Sequence, residues 1–290
     1  MKTFKDFLST HPIIFDGAMG TELQKRGLHQ DPAVLNLSHP DEIIAIHQEY
    51  LTAGANILTA NTFGAYSHKH DNAAQLIKAA ISNGKQAIDR QADKWLALDL
   101  GPTGLMIEPY GDTTEEECYQ IFKEAVQAGA DCGADLILVE TMMDLTELKL
   151  AVTAAKESGL PVFATMSFDK SGRTMMGASL DDMVSLLEGL NVDALGMNCG
   201  FGPDIYAQLA AELSKITKLP IIIQPNAGMP IPDETATAAP GGNIPVRYNL
   251  TPDDFAKALL SMNVNIMGGC CGTTPGHIAA ISSPTALKPA

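Results

Sequence analysis

The sequence predicts an α/β chain folded as a single (β/α)8 TIM barrel across residues 1–290. Three observations carry that expectation. Eight short apolar, β-branched runs recur along the chain, each bounded by Gly, Pro, Asn or Asp and too short for a helix. Amphipathic helical patterns separate them, which implies parallel βαβ units. A length of 290 residues could mean two domains, but α/β barrels run to roughly 200–250 residues as one. An open doubly wound sheet is the alternative; eight strands with a helix after each favour closure.

The first run, Ile13–Phe15, leads into Asp16–Thr21 (DGAMGT). A helix over 41–53 places Ile43, Ile44, Ile46, His47 and Tyr50 on or near one face, ahead of Gly54. Strand Asn56–Ala60 precedes an Ala-rich helix over 73–90, and strand Trp95–Asp99 precedes a helix over 114–128. The latter opens on a Thr and a cluster of glutamates, which suits a helix N-terminus. Strand Asp135–Val139 is followed by a helix over 144–158 that stops at Gly159 and Pro161. Strand Val162–Phe168 and helix 179–189 follow, then strand Asp193–Met197 and helix 203–217. Strand Pro220–Gln224 runs into the longest irregular stretch, Met229–Asn249, which contains TATAAPGGN at 235–243. Helix 251–261, strand Val264–Met267 and helix Pro275–Ser282 complete the set. Pro203, Pro252 and Pro275 stand where first-turn prolines belong.

Composition narrows the function. Hydrophobic residues make up 46%, charged residues 18%, and the formal net charge is −15. That is a globular composition. Its acidity disfavours nucleic acid and anionic membrane surfaces, which need Lys and Arg. Met1–His11 lacks the apolar core of a secretory signal. No run approaches the roughly 18 apolar residues of a spanning helix, so a cytoplasmic location is expected. Five cysteines in a reducing compartment argue for metal or catalytic use of some, rather than a disulfide framework.

Barrel enzymes place chemistry at the C-terminal ends of their strands. Those ends carry Asp16-Gly17-Ala18, Asn61-Thr62, Asp99 with Gly101-Pro102, and Glu140-Thr141. The others carry Ser167, Asn198-Cys199, Pro225-Asn226 and Gly269-Cys270-Cys271. Cys199 follows the sixth strand, and Cys270 and Cys271 follow the eighth, so their tips can converge over the barrel mouth. Three thiolates with one exchangeable position match a zinc site open to substrate. The alternatives are buried cysteines acting as small hydrophobes and a strained Cys270–Cys271 disulfide. Zinc would deprotonate a substrate thiol, and methyl transfer to that thiol then needs mainly positioning. No general base is required beyond the activated thiol, which fits the lack of a conspicuous His at a strand tip.

The remaining tips can hold an amino acid. Glu140 can pair with an ammonium group. The Asp16–Thr21 backbone, with a helix N-terminus behind it, can hold a carboxylate, and Asn226 can donate or accept. A structural salt bridge or a turn cap would explain Glu140 and Asp16 equally well. Gly268 to Pro275 could instead form a phosphate site, but that leaves Cys199 unexplained. No lysine sits at a strand tip for Schiff-base chemistry, and no GxGxxG follows a strand. Met142-Met143 and Met175-Met176 lie just after strand tips, where they could face substrate.

These residues resemble the homocysteine S-methyltransferase family, including the homocysteine-binding module of cobalamin-dependent methionine synthase. The matching stretches are Asp16–Glu22 (DGAMGTE), Asn61–Ala65 (NTFGA), Asp99–Thr103 (DLGPT) and Glu140-Thr141. Met197–Cys199 (MNC), Gln224–Gly228 (QPNAG) and Gly268–Pro275 (GGCCGTTP) complete the match, nearly end to end. The resemblance implies zinc held by Cys199, Cys270 and Cys271, and homocysteine as methyl acceptor. It also implies amino and carboxylate groups bound near Asp16, Gly17, Ala18, Glu140 and Asn226, with Ser167 a weaker candidate.

The chain ends at Ala290, soon after the cysteine motif, where a full methionine synthase continues into folate, cobalamin and activation modules. The donor is therefore expected to be a separate methyl-corrinoid protein or a small sulfonium or betaine-type compound. Another thiol or selenol acceptor, a non-catalytic zinc module docking on a corrinoid protein, and a phosphate-binding lyase are the competing readings.

Overall fold

The computed structural model describes residues 12–232 and 246–283. In chain order the strands are β1 (Ile13–Ile14), β2 (Ile57–Thr59), β3 (Trp95–Leu100), β4 (Leu136–Met142) and β5 (Val162–Met166). They continue as β6 (Ala194–Asn198), β7 (Ile221–Gln224), β8 (Ile231–Pro232), β9 (Val246–Arg247) and β10 (Ile266–Met267). Eight of them form one sheet in the order β1-β10-β7-β6-β5-β4-β3-β2, and every pair is parallel. The ends meet through a parallel bridge between Phe15 and Ile57 and through Asp16 N–H donating to the Ile57 carbonyl at 3.0 Å. The sheet therefore closes into a (β/α)8 barrel, as the strand count predicts.

Ten helices surround it among the described residues. They are α1 (Met19–Lys25), α2 (Pro32–Ser38), α3 (Pro40–Thr52), α4 (Ala73–Ile88) and α5 (Glu115–Asp131). After these come α6 (Leu145–Glu157), α7 (Leu180–Gly189), α8 (Pro203–Ile216), α9 (Pro252–Leu260) and α10 (Pro275–Ser282). Thr114 and Ser179 close reciprocal capping boxes with Glu117 and Asp182. Pro203, Pro252 and Pro275 each begin a helix. The two helices that periodicity misses are α1 and α2, each of seven residues. Two turns of helix are too short for an apolar stripe to register. α2 does have a local signal, since the Asp31 side chain accepts from Ala33 N–H and Pro32 follows it.

Two apolar layers hold the barrel. The larger lies between the strands and the helices. The smaller fills the barrel interior with Ile13, Phe15, Ile57, Leu136, Leu138, Phe163 and their neighbours. Side chains alternate across a strand, so one step further along the same faces falls two residues on. Those positions are Thr59, Asp99, Glu140, Thr165 and Gln224, and on β6 Asn198 follows one step beyond Gly196. The interior thus changes from apolar to polar at the C-terminal end of the barrel, the face where barrel enzymes place their chemistry.

The β4 register shifts between Val139 and Met142, and Thr141 takes a positive φ of 60°. This irregularity falls where Glu140 enters the barrel mouth. The Met229–Asn249 stretch begins and ends in an antiparallel pair, Ile231 opposite Arg247 and Pro232 opposite Val246. The run at 235–243 lies outside the described residues, as does Met1–His11. No helix of the described residues is long and apolar enough to cross a membrane.

Gly196 shows how closely β6 and β7 approach. A Cβ there would lie 1.8 Å from the Ile222 carbonyl oxygen, a backbone atom that cannot swing away. Gly196→Ala should therefore destabilise the fold by about 1–3 kcal/mol or more through overpacking. Urea unfolding against wild type measures it.

Candidate metal and substrate site

The Sγ atoms of Cys199, Cys270 and Cys271 all lie within 4.8 Å of one another. All three residues are free thiols and partly buried. They form the only such cluster of potential metal ligands among the described residues. Two loops bring them together, one after β6 and one after β10, and the segment after β7 ties the loops to each other. Cys199 N–H donates to the Gln224 carbonyl at 3.0 Å, and Asn226 N–H to the Phe201 carbonyl at 2.9 Å. Cys270 N–H donates to the Pro225 carbonyl at 2.8 Å, and Ala227 N–H to the Cys271 carbonyl at 3.0 Å. Residues 224–227 therefore hydrogen-bond to both cysteine loops.

Cys199 has a positive φ of 60°, followed by Gly200 at 65°. For a non-glycine residue that conformation costs on the order of 1–2 kcal/mol. Tyr206, buried on α8, opposes the cost, because its hydroxyl reaches the Asn198 carbonyl at 2.9 Å and the Cys199 carbonyl at 2.7 Å. The second loop is fixed by Thr273, whose hydroxyl donates to the Cys270 carbonyl at 2.7 Å and whose Oγ1 accepts from Ala18 N–H at 3.2 Å. Tyr50 on α3 hydrogen-bonds the carbonyls of both Ala18 and Thr273. Gly17 lies in the same crowded contact. A Cβ there would sit 2.7 Å from Thr273 Oγ1 and 2.9 Å from the Tyr50 ring.

The thiols compete for negative charge. Hydrogen bonds from Cys199 and Cys270 hold the Cys271 thiol down, to about 3, with the Tyr248 hydroxyl adding to them. The same exchange with Cys199 and Cys271, together with burial, pushes Cys270 up. One thiolate is thus shared among three sulfurs. Three thiolates together would need a cation. Zn–S bonds of about 2.3 Å at tetrahedral angles put sulfurs about 3.8 Å apart. The cluster needs little contraction to reach that spacing, so the donor set fits zinc.

A cavity of about 320 Å³ opens beside the sulfurs. Its wall carries the three cysteines, Asp16, Gly17, Ala18, Asp99 and Glu140, and among the described residues it contains no Lys, Arg or His. The Asp16 carboxylate accepts from Thr59 N–H and the Thr59 hydroxyl, both at 2.8 Å. Burial nonetheless raises its pKa to about 7, the Thr59 hydrogen bonds opposing the rise. Behind Asp16 lies the fully buried His47, with Nδ1 4.0 Å from the carboxylate. Burial lowers His47 to about 4, so its ring is neutral. Glu140 accepts from Asn198 Nδ2 at 3.2 Å. Burial, then the charges of Cys199 and Asp16, raises Glu140 to about 8.

Asn198 is the residue that sequence reasoning left without a role. Its amide also donates to the Thr141 hydroxyl, and its oxygen accepts from Thr141 N–H and the Thr165 hydroxyl. It sets Glu140 from the position directly before Cys199, and adjacency to a candidate ligand was the available signal. Tyr248 is a second such residue. It hydrogen-bonds Cys271, and its ring lies against Gly272. No motif marks it, since it stands in a stretch that reads as irregular.

Cys199, Cys270, Cys271, Asp16, Gly17, Ala18 and Glu140 therefore come together on one cavity. Asn226 and Ser167 do not line it. Asn226 is buried between the two cysteine loops, and its Oδ1 has no partner. Ser167 stands behind the Cys199 turn, near Gly200 and Tyr206. Of the methionines, Met142 is buried in β4, Met175 and Met176 are exposed, and neither they nor Met143 line the cavity.

A (β/α)8 barrel with three converging thiols beside an acidic cavity defines a class of barrel proteins whose thiols could hold a metal ion. The homocysteine S-methyltransferase family model matches residues 13–284, and the chain belongs to that family. The methionine synthase of Mycobacterium tuberculosis is 33% identical over 97% of this chain, and that of Mycobacterium leprae 32% over 96%. The chain spans about a quarter of the length of those relatives. The metallated form of the homocysteine methyltransferase MmuM from Escherichia coli superposes with a TM-score of 0.77 at 23% identity. That match covers 95% of this chain and 97% of the other. The oxidized form gives 0.78 at 22% identity, covering 97% and 99%. At these identities the likeness shows the fold.

Tyr206→Phe removes the one hydroxyl proton shared by the Asn198 and Cys199 carbonyls and should lower unfolding free energy by about 0.5–1.5 kcal/mol. Chemical denaturation tests this. A second expectation concerns pH. Asp16 has a folded pKa of about 7 against an ordinary 3.8. Between those values the folded metal-free protein holds a proton that the unfolded chain has released. The stability from neutral Asp16 is complete below about pH 4 and is lost as pH rises through 7. Asp16→Asn should therefore flatten part of the fall in stability between pH 4 and 7, measured by urea midpoints.

Proposed function

We propose that this protein transfers a methyl group to the thiol of homocysteine, giving methionine, at a zinc ion held by Cys199, Cys270 and Cys271. The observation that carries the reading is the three-sulfur cluster on the wall of a cavity that also presents Asp16 and Glu140. When bound, zinc would acidify the acceptor thiol and keep it as a nucleophilic thiolate. The chain supplies the rest. Asp16 and Glu140 take the ammonium group, and Asn198 fixes the Glu140 side chain. Gly17 and Ala18 line the cavity, and the backbone of the Asp16–Thr21 run would face the carboxylate, with the Ala18 N–H already given to Thr273. Asn226 and Ser167 act from behind the sulfur loops, holding the β6 and β10 loops in place. The barrel occupies the chain as a single domain.

With zinc held by the three cysteines, the acceptor's thiol proton would be released on binding, because a coordinated thiol is deprotonated. Displacement at the methyl carbon then depends on how well the sulfur is held, for which the buried loops are suited. The mouth of the barrel supports a bulky donor. Phe63, Met106, Tyr110, Met175, Met176 and Met229 are all exposed, and all stand in loops that follow strands. Apolar side chains gathered on one face fit a protein surface, as a methyl-corrinoid protein would provide. A small sulfonium or betaine-type donor is the second reading, favoured by the acidic cavity wall. The lack of a membrane-crossing helix among the described residues accords with a cytoplasmic place.

Zinc analysis with homocysteine titration tests the proposal. About one zinc per chain is expected, lost in Cys199→Ala and Cys270→Ala, with proton release when homocysteine is added to the loaded protein. Zinc-free protein that still binds homocysteine with wild-type affinity would sink it.

A further inference from the structure

Asp99 closes β3 with its side chain turned into the barrel. Ala97, two residues earlier, belongs to the inner apolar cluster, and the strand's alternation carries Asp99 to the same face. The residue is only 5% exposed and lines the cavity beside the sulfurs. Its backbone is fully engaged, because Asp99 N–H donates to Thr62 Oγ1 at 3.0 Å and its carbonyl accepts from the Thr62 hydroxyl at 2.8 Å. Its side chain is not. Asp99 Oδ1 is buried without a hydrogen-bond partner, a costly condition for a carboxyl oxygen. The other two carboxyls of the cavity differ in this respect. Asp16 is held by Thr59, and Glu140 by Asn198.

Asp99 lies on β3, directly beside β4, which carries Glu140, and its register partner there is Leu138. Glu140 is therefore one inward step above it. The electrostatic neighbours of Asp99 are Glu140 and Asp16, and their charges add to burial in raising its pKa well above the ordinary value. Three carboxyls thus converge on one cavity whose wall, among the described residues, has no basic residue. An ammonium group has three N–H donors. Asp16 and Glu140 provide for two of them, and the third would be buried unpaired unless another acceptor faces it. Gln224 also has an unpartnered buried oxygen, but its backbone carbonyl accepts from Cys199 N–H. That places it on the sulfur side of the cavity.

We propose that Asp99 is the third acceptor for the substrate's ammonium group, completing a tripod with Asp16 and Glu140 that selects thiols bearing a free amine. This rests on the reading of the cavity as the homocysteine site. Two consequences follow. A thiol with the same chain and carboxylate but no amine leaves all three carboxyls facing one another, so it binds weakly. An acceptor whose amine is acylated has too few donors and too much bulk for the tripod.

The test is calorimetric titration of zinc-loaded wild type and Asp99→Asn with two ligands, L-homocysteine and 4-mercaptobutanoate, the same thiol acid without its amine. Loss of a charge-assisted hydrogen bond should weaken homocysteine binding by roughly tenfold or more. Binding of 4-mercaptobutanoate should stay within about twofold or tighten, since a repelling carboxylate has gone. Zinc content should not change. Asp99→Ser should give the same split if the isosteric variant fails to fold. Equal weakening of both ligands would make Asp99 a structural residue and overturn the proposal, as would unchanged homocysteine affinity. If wild type binds 4-mercaptobutanoate but not homocysteine, the tripod alone is wrong. If it binds neither, the reading of the cavity fails and the tripod with it.

Discussion

Four backbone hydrogen bonds made by residues 224–227 are the constraint on which the site depends. The cysteines come from loops about seventy positions apart in sequence, and among the described residues no backbone hydrogen bond joins those loops directly. The segment after β7 joins them, receiving Cys199 N–H on one side and Cys270 N–H on the other. A barrel makes this arrangement available because β7 lies between β6 and β10 in the sheet. The spacing between sulfurs is therefore inherited from the spacing between strands. The geometry of the sulfur cluster becomes a property of the fold, with only a local adjustment at the left-handed Cys199 turn.

Electrostatics divides the mouth of the barrel into two halves. On one side the three sulfurs gather charge that a cation would neutralise. On the other, three carboxyls surround a cavity that no basic residue lines among the described residues. The raised pKa values of Asp16, Asp99 and Glu140 express the crowding on the carboxyl side. A cation would relieve the sulfur side, and a guest whose thiol reaches that cation while its ammonium reaches the carboxyls would relieve the other. Homocysteine has those two groups at the ends of a short chain. The unpartnered oxygens of Asp99, Gln224 and Asn226 lie around the same region, as expected where a ligand would complete the hydrogen bonding.

Much of this was legible in the sequence. All eight barrel strands stand where short apolar runs bounded by breakers predict them, because buried parallel strands need continuous apolar residues. The cysteine cluster was legible because each cysteine follows a strand. What could not be read was everything set by contact across the barrel. Asn198 and Tyr206 look like ordinary polar and apolar positions until the Cys199 turn is folded around them. Tyr248 emerges from an irregular stretch with no pattern to mark it. Asn226 and Ser167 were correctly placed at strand tips, but a tip residue can face either the cavity or the loop behind it. Only the register and the turn geometry decide which, and both residues face the loops.

The same distinction separates Asp99 from its neighbours. Its place at a strand tip is common to eight segments, and its chemistry is common to any aspartate. What sets it apart is parity, since it falls on the inward face of β3 one step above Ala97, where an apolar residue would have extended the core. A carboxyl at that step costs desolvation with no internal compensation. Asp16 has the Thr59 amide and hydroxyl, and Glu140 has the Asn198 amide, whereas the Asp99 Oδ1 has nothing. A buried acid without a partner is expensive to keep for stability alone. The expense is explained if the missing partner arrives with the substrate, which makes Asp99 a residue of the bound state.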